Sequence, residues 1–151
     1  MRPTMDMARQ TRAAESPLDA ALRAVGDRWT LLVVAALLEQ PRRFNDLLAD
    51  VPGIAPNVLT QRLRNLEGEG LVIAQPYSRR PPRSVYELTD AGRELAGAVR
   101  FLTAWGSRRT EGAEESEATR HAACGTPMEA RWYCPTCDRA VLEGEAEVEF
   151  L

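Results

Sequence analysis

Apolar positions along the chain change period several times, and each change marks an element. Leu18, Leu22 and Val25 recur at helical spacing. They follow Ser16-Pro17-Leu18-Asp19, which reads as a helix start, with Ser at the cap, Pro first and Asp reaching back as in a capping box. The three apolar residues are expected to form a buried stripe, with Gly26 ending the helix. Asp27 then caps a second helix in which Trp29, Leu32, Val33, Ala36 and Leu37 keep the same spacing. That helix is apolar nearly all round, so it is expected at the centre of the core, and Pro41 stops it. Arg42-Arg43-Phe44 is long enough only for an edge strand, after which Asn45 is expected to cap a short helix from Asp46 to about Val51 that buries Leu47 and Leu48.

Pro52-Gly53 predicts a turn, and Pro56 suits the first position of another helix, where its missing N–H is no loss. Leu59, Leu63 and Leu66 claim one face of it for the core. Asn57, Thr60, Gln61 and Arg64 share a different face near its N-terminus, the side-chain chemistry that reads base edges in a major groove. An amphipathic surface helix would show the same polar face. What surrounds it decides: a short helix, a tight turn and this helix make the helix-turn-helix pattern. Beyond Gly70 the period shortens. Leu71 to Tyr77 and Ser84 to Leu88 read as paired strands around Ser78-Arg79-Arg80-Pro81-Pro82-Arg83. Arg79, Arg80 and Arg83 at a Pro-stiffened hairpin tip suit a wing laid on a phosphate backbone, with a solvated loop as the plainer alternative. Arg62 and Arg43 join them as candidate DNA contacts. Thr89 caps a last long helix to about Arg109. It carries Leu95, Val99 and Leu102 on one stripe, and Ala98, Phe101 and Trp105 on the next. So wide an apolar surface on a small domain suggests a dimer contact, shared by the 89–109 helix and the N-terminal helix.

Charge sharpens this picture. The net charge of −3 conceals +1 over residues 1–17, +3 over 18–109 and −7 over 110–151. The chain has no Lys, so every strong base is a guanidinium, a group suited to bidentate contacts with phosphate and guanine. The longest apolar run, Leu31 to Leu38, is far too short to span a bilayer. Arg2, Asp6, Arg9 and Arg12 stand in no apolar stretch, unlike a signal peptide, so a cytoplasmic protein without a membrane partner is expected.

From Pro17 through Gly106 the chain resembles the HxlR-type winged-helix transcriptional regulators of bacteria. The resemblance rests on Gly26-Asp27-Arg28-Trp29-Thr30-Leu31-Leu32, Pro41-Arg42-Arg43-Phe44, Pro52-Gly53-Ile54, Val58-Leu59-Thr60-Gln61-Arg62-Leu63, Gly70-Leu71-Val72, Pro81-Pro82-Arg83 and Tyr86-Glu87-Leu88-Thr89, in the family's order. It implies a homodimer that binds double-stranded DNA at an operator, usually as a repressor, with the helix from Pro56 in the major groove. Two positions depart from the pattern. Ser16 stands where the family typically has a Cys that in some members senses oxidants or electrophiles, and a hydroxyl cannot form a thiolate. Ala55 stands where Ser commonly precedes the helix Pro, leaving that N-terminus without a side-chain cap.

The C-terminal third has its own chemistry. Residues 110–119 are rich in Gly, Ala, Ser and Glu, the composition of a linker. His121, Cys124, Cys134 and Cys137 then form two pairs with two residues between the members of each. Such spacing lets each turn present both ligands to one metal, and three thiolates with one imidazole complete a Cys3His set for a structural Zn2+. The segment resembles a zinc ribbon, although the gap between the pairs is shorter than usual. A redox dithiol is the competing reading, and no βαβ context surrounds the CxxC. Residues 145–150 alternate Glu with Ala146, Val148 and Phe150, a half-buried strand that could join Arg131-Trp132-Tyr133 in a small sheet.

The expected architecture is therefore α+β. It comprises a flexible arm (1–15), a winged helix-turn-helix with helical core and β-hairpin wing (16–109), an acidic linker (110–119) and a small Cys3His zinc-ribbon-like β module (120–151). The expected function is transcriptional regulation, with an unidentified small-molecule effector as a further partner class. The competing reading is an adaptor that docks proteins through the winged helix and the acidic ribbon. No enzyme is expected, because the lone His is assigned to metal and neither a nucleophile–base pair nor a Gly-rich phosphate loop is visible.

Overall fold

The computed structural model describes residues 16–79, 82–109, 120–128 and 131–141, with the side chains of residues 79 and 82 left out. The expected arm (1–15), linker (110–119) and strand (145–150) lie outside the described residues, as does Arg80. The chain divides into two compact units, residues 1–96 and 97–151.

In the first unit, helix α1 (Pro17–Val25) starts as its sequence dictates, with Ser16 Oγ accepting from the Asp19 N–H at 3.1 Å. Its stripe is not buried as expected: Val25 is, but Leu18 is 67% and Leu22 53% exposed. Helix α2 (Arg28–Glu39) is capped by Asp27, whose carboxylate accepts from the N–H groups of Trp29 and Thr30 at 3.0 and 3.1 Å. It buries Thr30, Val33, Val34 and Leu37, while Leu32 faces outward. Strand β1 (Arg42–Arg43) follows, and helix α3 (Phe44–Asp50) begins two residues earlier than Asn45 suggested. The reason is Asp46, whose carboxylate accepts from the Arg43 N–H at 3.0 Å and so places the cap at Arg43.

The turn at Gly53 (φ 85°) leads to helix α4 (Pro56–Gly68). Ala55 gives this helix no side-chain cap, as its identity requires. Leu59, Leu63 and Leu66 are almost wholly buried and meet a core made by Val33, Val34, Leu37, Leu47, Val51, Ile54, Val72 and Leu88. Strands β2 (Val72–Arg79) and β3 (Pro82–Leu88) pair antiparallel, and β1 adds to the other side of β3 in the order β1-β3-β2. The strands reach further than their apolar alternation suggested. Ser78 pairs with Arg83 and Arg79 with Pro82, so most of the expected 78–83 loop is strand. Pro76 is tolerated because β2 is an edge, and the register shifts between Pro76 and Ser78.

The expected single helix from Thr89 is two. Thr89 Oγ1 accepts from the Gly92 N–H at 3.1 Å to start α5 (Asp90–Arg93), and α6 (Ala96–Ser107) follows. Between them the Leu95 N–H reaches the Gly92 carbonyl at 3.3 Å, a three-residue closure that tightens the chain by one residue.

In the second unit α6 exposes Phe101, Leu102 and Trp105. A hairpin of β4 (Trp132–Cys134) and β5 (Arg139–Val141) pairs Trp132 with Val141, and the Trp132 ring stacks on Phe101 at 6.0 Å between centroids. Among the described residues no helix is long and apolar enough to cross a membrane.

Candidate nucleic-acid interface

Three leucines fix which way α4 faces. With Leu59, Leu63 and Leu66 buried, the opposite side must look outward, and Asn57, Gln61 and Arg64 are all exposed there. Thr60 is half-buried and its hydroxyl donates to the Pro56 carbonyl at 2.8 Å. Gln61 Nε2 donates to Asn65 Oδ1 at 2.8 Å, one helical turn on, which leaves the Gln61 carbonyl oxygen to accept. The face thus offers an amide pair, a guanidinium and a hydroxyl oxygen beside the uncapped positive end of a helix dipole.

The arginines divide sharply. Arg64 and Arg83 are exposed, on α4 and on the wing strand β3. Arg43, also exposed, lies with its guanidinium 4.9 Å from the centre of the Tyr77 ring. Tyr77 sits where the β2 register shifts, a consequence of Pro76 that no apolar alternation announces. Arg80 and the side chain of Arg79 lie outside the described residues, although the Arg79 backbone is placed on β2 at the wing's end. Arg62 differs from the rest. Its Nε stands 2.8 Å from Asp27 Oδ1 and Nη2 donates to Oδ2 at 3.2 Å, so its guanidinium is paired with a carboxylate. Asp27 was visible in the sequence only as a helix cap; its second role depends on a partner 35 residues away.

The wing is tied to α4 at its base. Thr89 Oγ1 donates to the Gly70 carbonyl at 2.7 Å, and the Thr89 N–H to the Leu71 carbonyl at 3.0 Å. Gly92 packs so close that a Cβ would lie 2.2 Å from the Leu71 carbonyl oxygen. On β3 burial raises the Tyr86 hydroxyl above its ordinary pKa, with the Glu67 carboxylate adding to the effect.

The second unit carries the other expected site, built from two turns of one design. His121 and Cys124 are followed by Gly125 at φ 70°, and Cys134 and Cys137 by Asp138 at φ 52°. In the first turn the Gly125 N–H donates to the His121 carbonyl at 2.7 Å, and His121 Nδ1 lies 3.3 Å from Cys124 Sγ. In the second the Cys137 N–H, then the Cys137 side chain and the Thr136 N–H, hold the Cys134 thiol below its ordinary pKa. Cys137 is raised by sharing its hydrogen bond and charge with Cys134. Cys124 is lowered by its bonds to Thr126. Thiolate and imidazole donors suit zinc. Among the described residues, no three His, Cys, Asp or Glu side chains are gathered around one point. The four expected ligands therefore stand as two pairs, and a single ion would need the turns to close on each other.

Comparisons with known proteins agree with this geometry. Residues 24–114 match the family model of the HxlR-like helix-turn-helix. The chain is similar to an uncharacterised HTH-type transcriptional regulator of Mycobacterium tuberculosis, 39% identical over 124 residues, 80% of this chain and 77% of the relative. A Bacillus subtilis regulator, YtcD, is 34% identical over 90 residues, 60% of this chain and 71% of that one. A solved structure of a putative HTH-type regulator ytcD superposes with TM-score 0.58 at 34% identity, covering 62% of this chain and 96% of the other. The redox regulator HypR in its reduced form superposes with TM-score 0.60 at 31% identity, covering 64% and 95%.

Proposed function

The chain belongs to the HxlR-like helix-turn-helix family, a DNA-binding transcriptional regulator and not an enzyme, and from that premise we propose that it acts as a homodimeric repressor reading a palindromic operator. Helix α4 enters the major groove with Asn57, Thr60, Gln61 and Arg64 towards the bases. Arg43, Arg79, Arg80 and Arg83 meet the phosphates. One observation carries this reading: the polar face of α4 is open while the leucines behind it are sealed in the core. A second copy would cover Leu18 and Leu22, one turn apart on α1, or Phe101, Leu102 and Trp105, neighbours on α6, since contiguous exposed apolar side chains of this size mark an interface. Sensing through a cysteine ahead of the first helix is not part of the proposal, because Ser16 occupies that place and caps α1.

We further propose that His121, Cys124, Cys134 and Cys137 hold one structural Zn2+, supported by the repeated ligand turn and by N–H groups already directed at Cys134 Sγ. When bound, the ion would close the two turns into one module. Selection of bound sequences from a random pool of double-stranded DNA, run with and without a chelator, tests both readings. A recovered inverted repeat supports the operator assignment; recovery of random sequence overturns it. Zinc content of about one ion per chain in the purified protein supports the metal assignment, and none overturns it.

A further inference from the structure

We infer that Arg62 is a positioning residue that refines, through Asp27, the roll that three leucines set for the reading helix, and that it does not itself contact DNA. The inference rests on α4 being the base-reading helix. At 100° per residue, Arg62 lies about 150° round α4 from the middle of the face formed by Asn57, Thr60, Gln61 and Arg64. Its guanidinium meets Asp27 through one hydrogen bond, Nη2 to Oδ2 at 3.2 Å, and an ion-pair approach of Nε to Oδ1 at 2.8 Å that is not aligned as a second hydrogen bond. The hydrogen bond is directional and the close Nε approach adds charge attraction, so the pair favours one placement of the guanidinium against the carboxylate. Asp27 Oδ1 also accepts from the Trp29 and Thr30 N–H groups, so one carboxylate holds the start of α2 and the middle of α4 together.

A Cβ at Gly53, in the turn between α3 and α4, would lie 3.7 Å from Trp29 Cη2. The turn that enters α4 thus passes close to the Trp29 ring and the middle of α4 meets Asp27, both at the N-terminus of the core helix. The leucines resist tilting of α4 into solvent, but apolar contacts are not directional. The buried leucines set the roll of α4, and a directional bond off their face limits the remaining rotation that would misalign Gln61 and Arg64 with base edges.

The pair can be broken without removing the cap, because Asn caps a helix as well as Asp. Asp27→Asn and Arg62→Gln are each expected to weaken binding to the selected operator about tenfold, with the double variant no worse than either single one. Both should broaden base preference at the positions that Gln61→Ala and Arg64→Ala also affect. The slope of log affinity against log salt should stay at the parent's value, whereas loss of a phosphate contact lowers it by about one. All measurements are made well below the melting temperature of each variant, so that folded protein is compared. A fall of the salt slope with Arg62→Gln alone, and none with Asp27→Asn, would make Arg62 a phosphate contact and overturn the inference. Equal losses on operator and random DNA, or no loss at all, would overturn it as well. A parent protein that selects no sequence fails at the earlier step and takes the reading of α4 down with this one.

Discussion

Gln61→Ala separates a reading face from a merely solvated one, because the two contributions differ in size. In the folded protein Gln61 makes one described side-chain bond, Nε2 to Asn65 Oδ1 at 2.8 Å, on an exposed helix surface. Pairs of this kind stabilise a helix by about 0.2–0.5 kcal/mol. Ala is the better helix former by a few tenths, so the net change in stability should fall within about 0.5 kcal/mol, roughly 2–4 °C in melting temperature for a unit of this size. A good contact to a base edge contributes about 1–3 kcal/mol of discrimination, which is roughly 5- to 150-fold in relative affinity. The assay is fluorescence anisotropy on the selected operator and on its single-base variants, beside a thermal melt. The expected result is an unmoved melt, with preference lost at one base pair per half-site and retained elsewhere. If Gln61→Ala weakened all sequences equally, or none, the polar face of α4 would be a solvated face and the assignment would fail.

Gly92→Ala should destabilise the protein by about 1–3 kcal/mol, since its Cβ would meet the Leu71 carbonyl oxygen at 2.2 Å, while Gly68→Ala, with nothing within 4 Å, should be neutral or slightly stabilising; chemical denaturation distinguishes them. Arg83→Ala, on the exposed wing strand, should weaken operator and random DNA alike and lower the salt slope by about one, read by titration at several salt concentrations. In metal-free protein the Cys134–Cys137 pair should be alkylated readily near neutral pH, because the Cys137 and Thr136 N–H groups favour a thiolate there, and added Zn2+ should protect both; peptide mass mapping after timed iodoacetamide treatment reads the loss.

What local rules govern was legible. Ser16, Asp27 and Thr89 each cap the helix their position announced, because a cap involves a side chain and an N–H two or three residues on. Leu59, Leu63 and Leu66 are buried as their spacing demands, because the far side of α4 is polar and only one orientation hides all three. Periodicity failed where it could not tell a buried stripe from an exposed one. Leu18 and Leu22 keep the same helical spacing as the α4 leucines yet stand exposed, so the period reports which face is apolar and not what will cover it. It failed also where two polar residues competed for one role. Asn45 is a good cap, but the Asp46 carboxylate reaching the Arg43 N–H won the contest two residues upstream.

Arg62 shows why the arginines could not be sorted from the chain alone. Arg43, Arg62, Arg64 and Arg83 have the same chemistry, and a basic winged helix invites assigning all of them to phosphate. What separates Arg62 is a carboxylate 35 residues away that becomes its neighbour only once α2 and α4 cross. The consequence reaches function. A guanidinium on DNA adds affinity without regard to sequence, whereas one latched to Asp27 adds none directly and acts on how faithfully Gln61 and Arg64 meet their bases. Electrostatic attraction brings a regulator to DNA; the rigidity of the helix that reads it decides which DNA. In the reading proposed above, the exposed arginines of β1 and β3 serve the first task, and Arg64 and Gln61, held by three sealed leucines and the Asp27–Arg62 pair, the second.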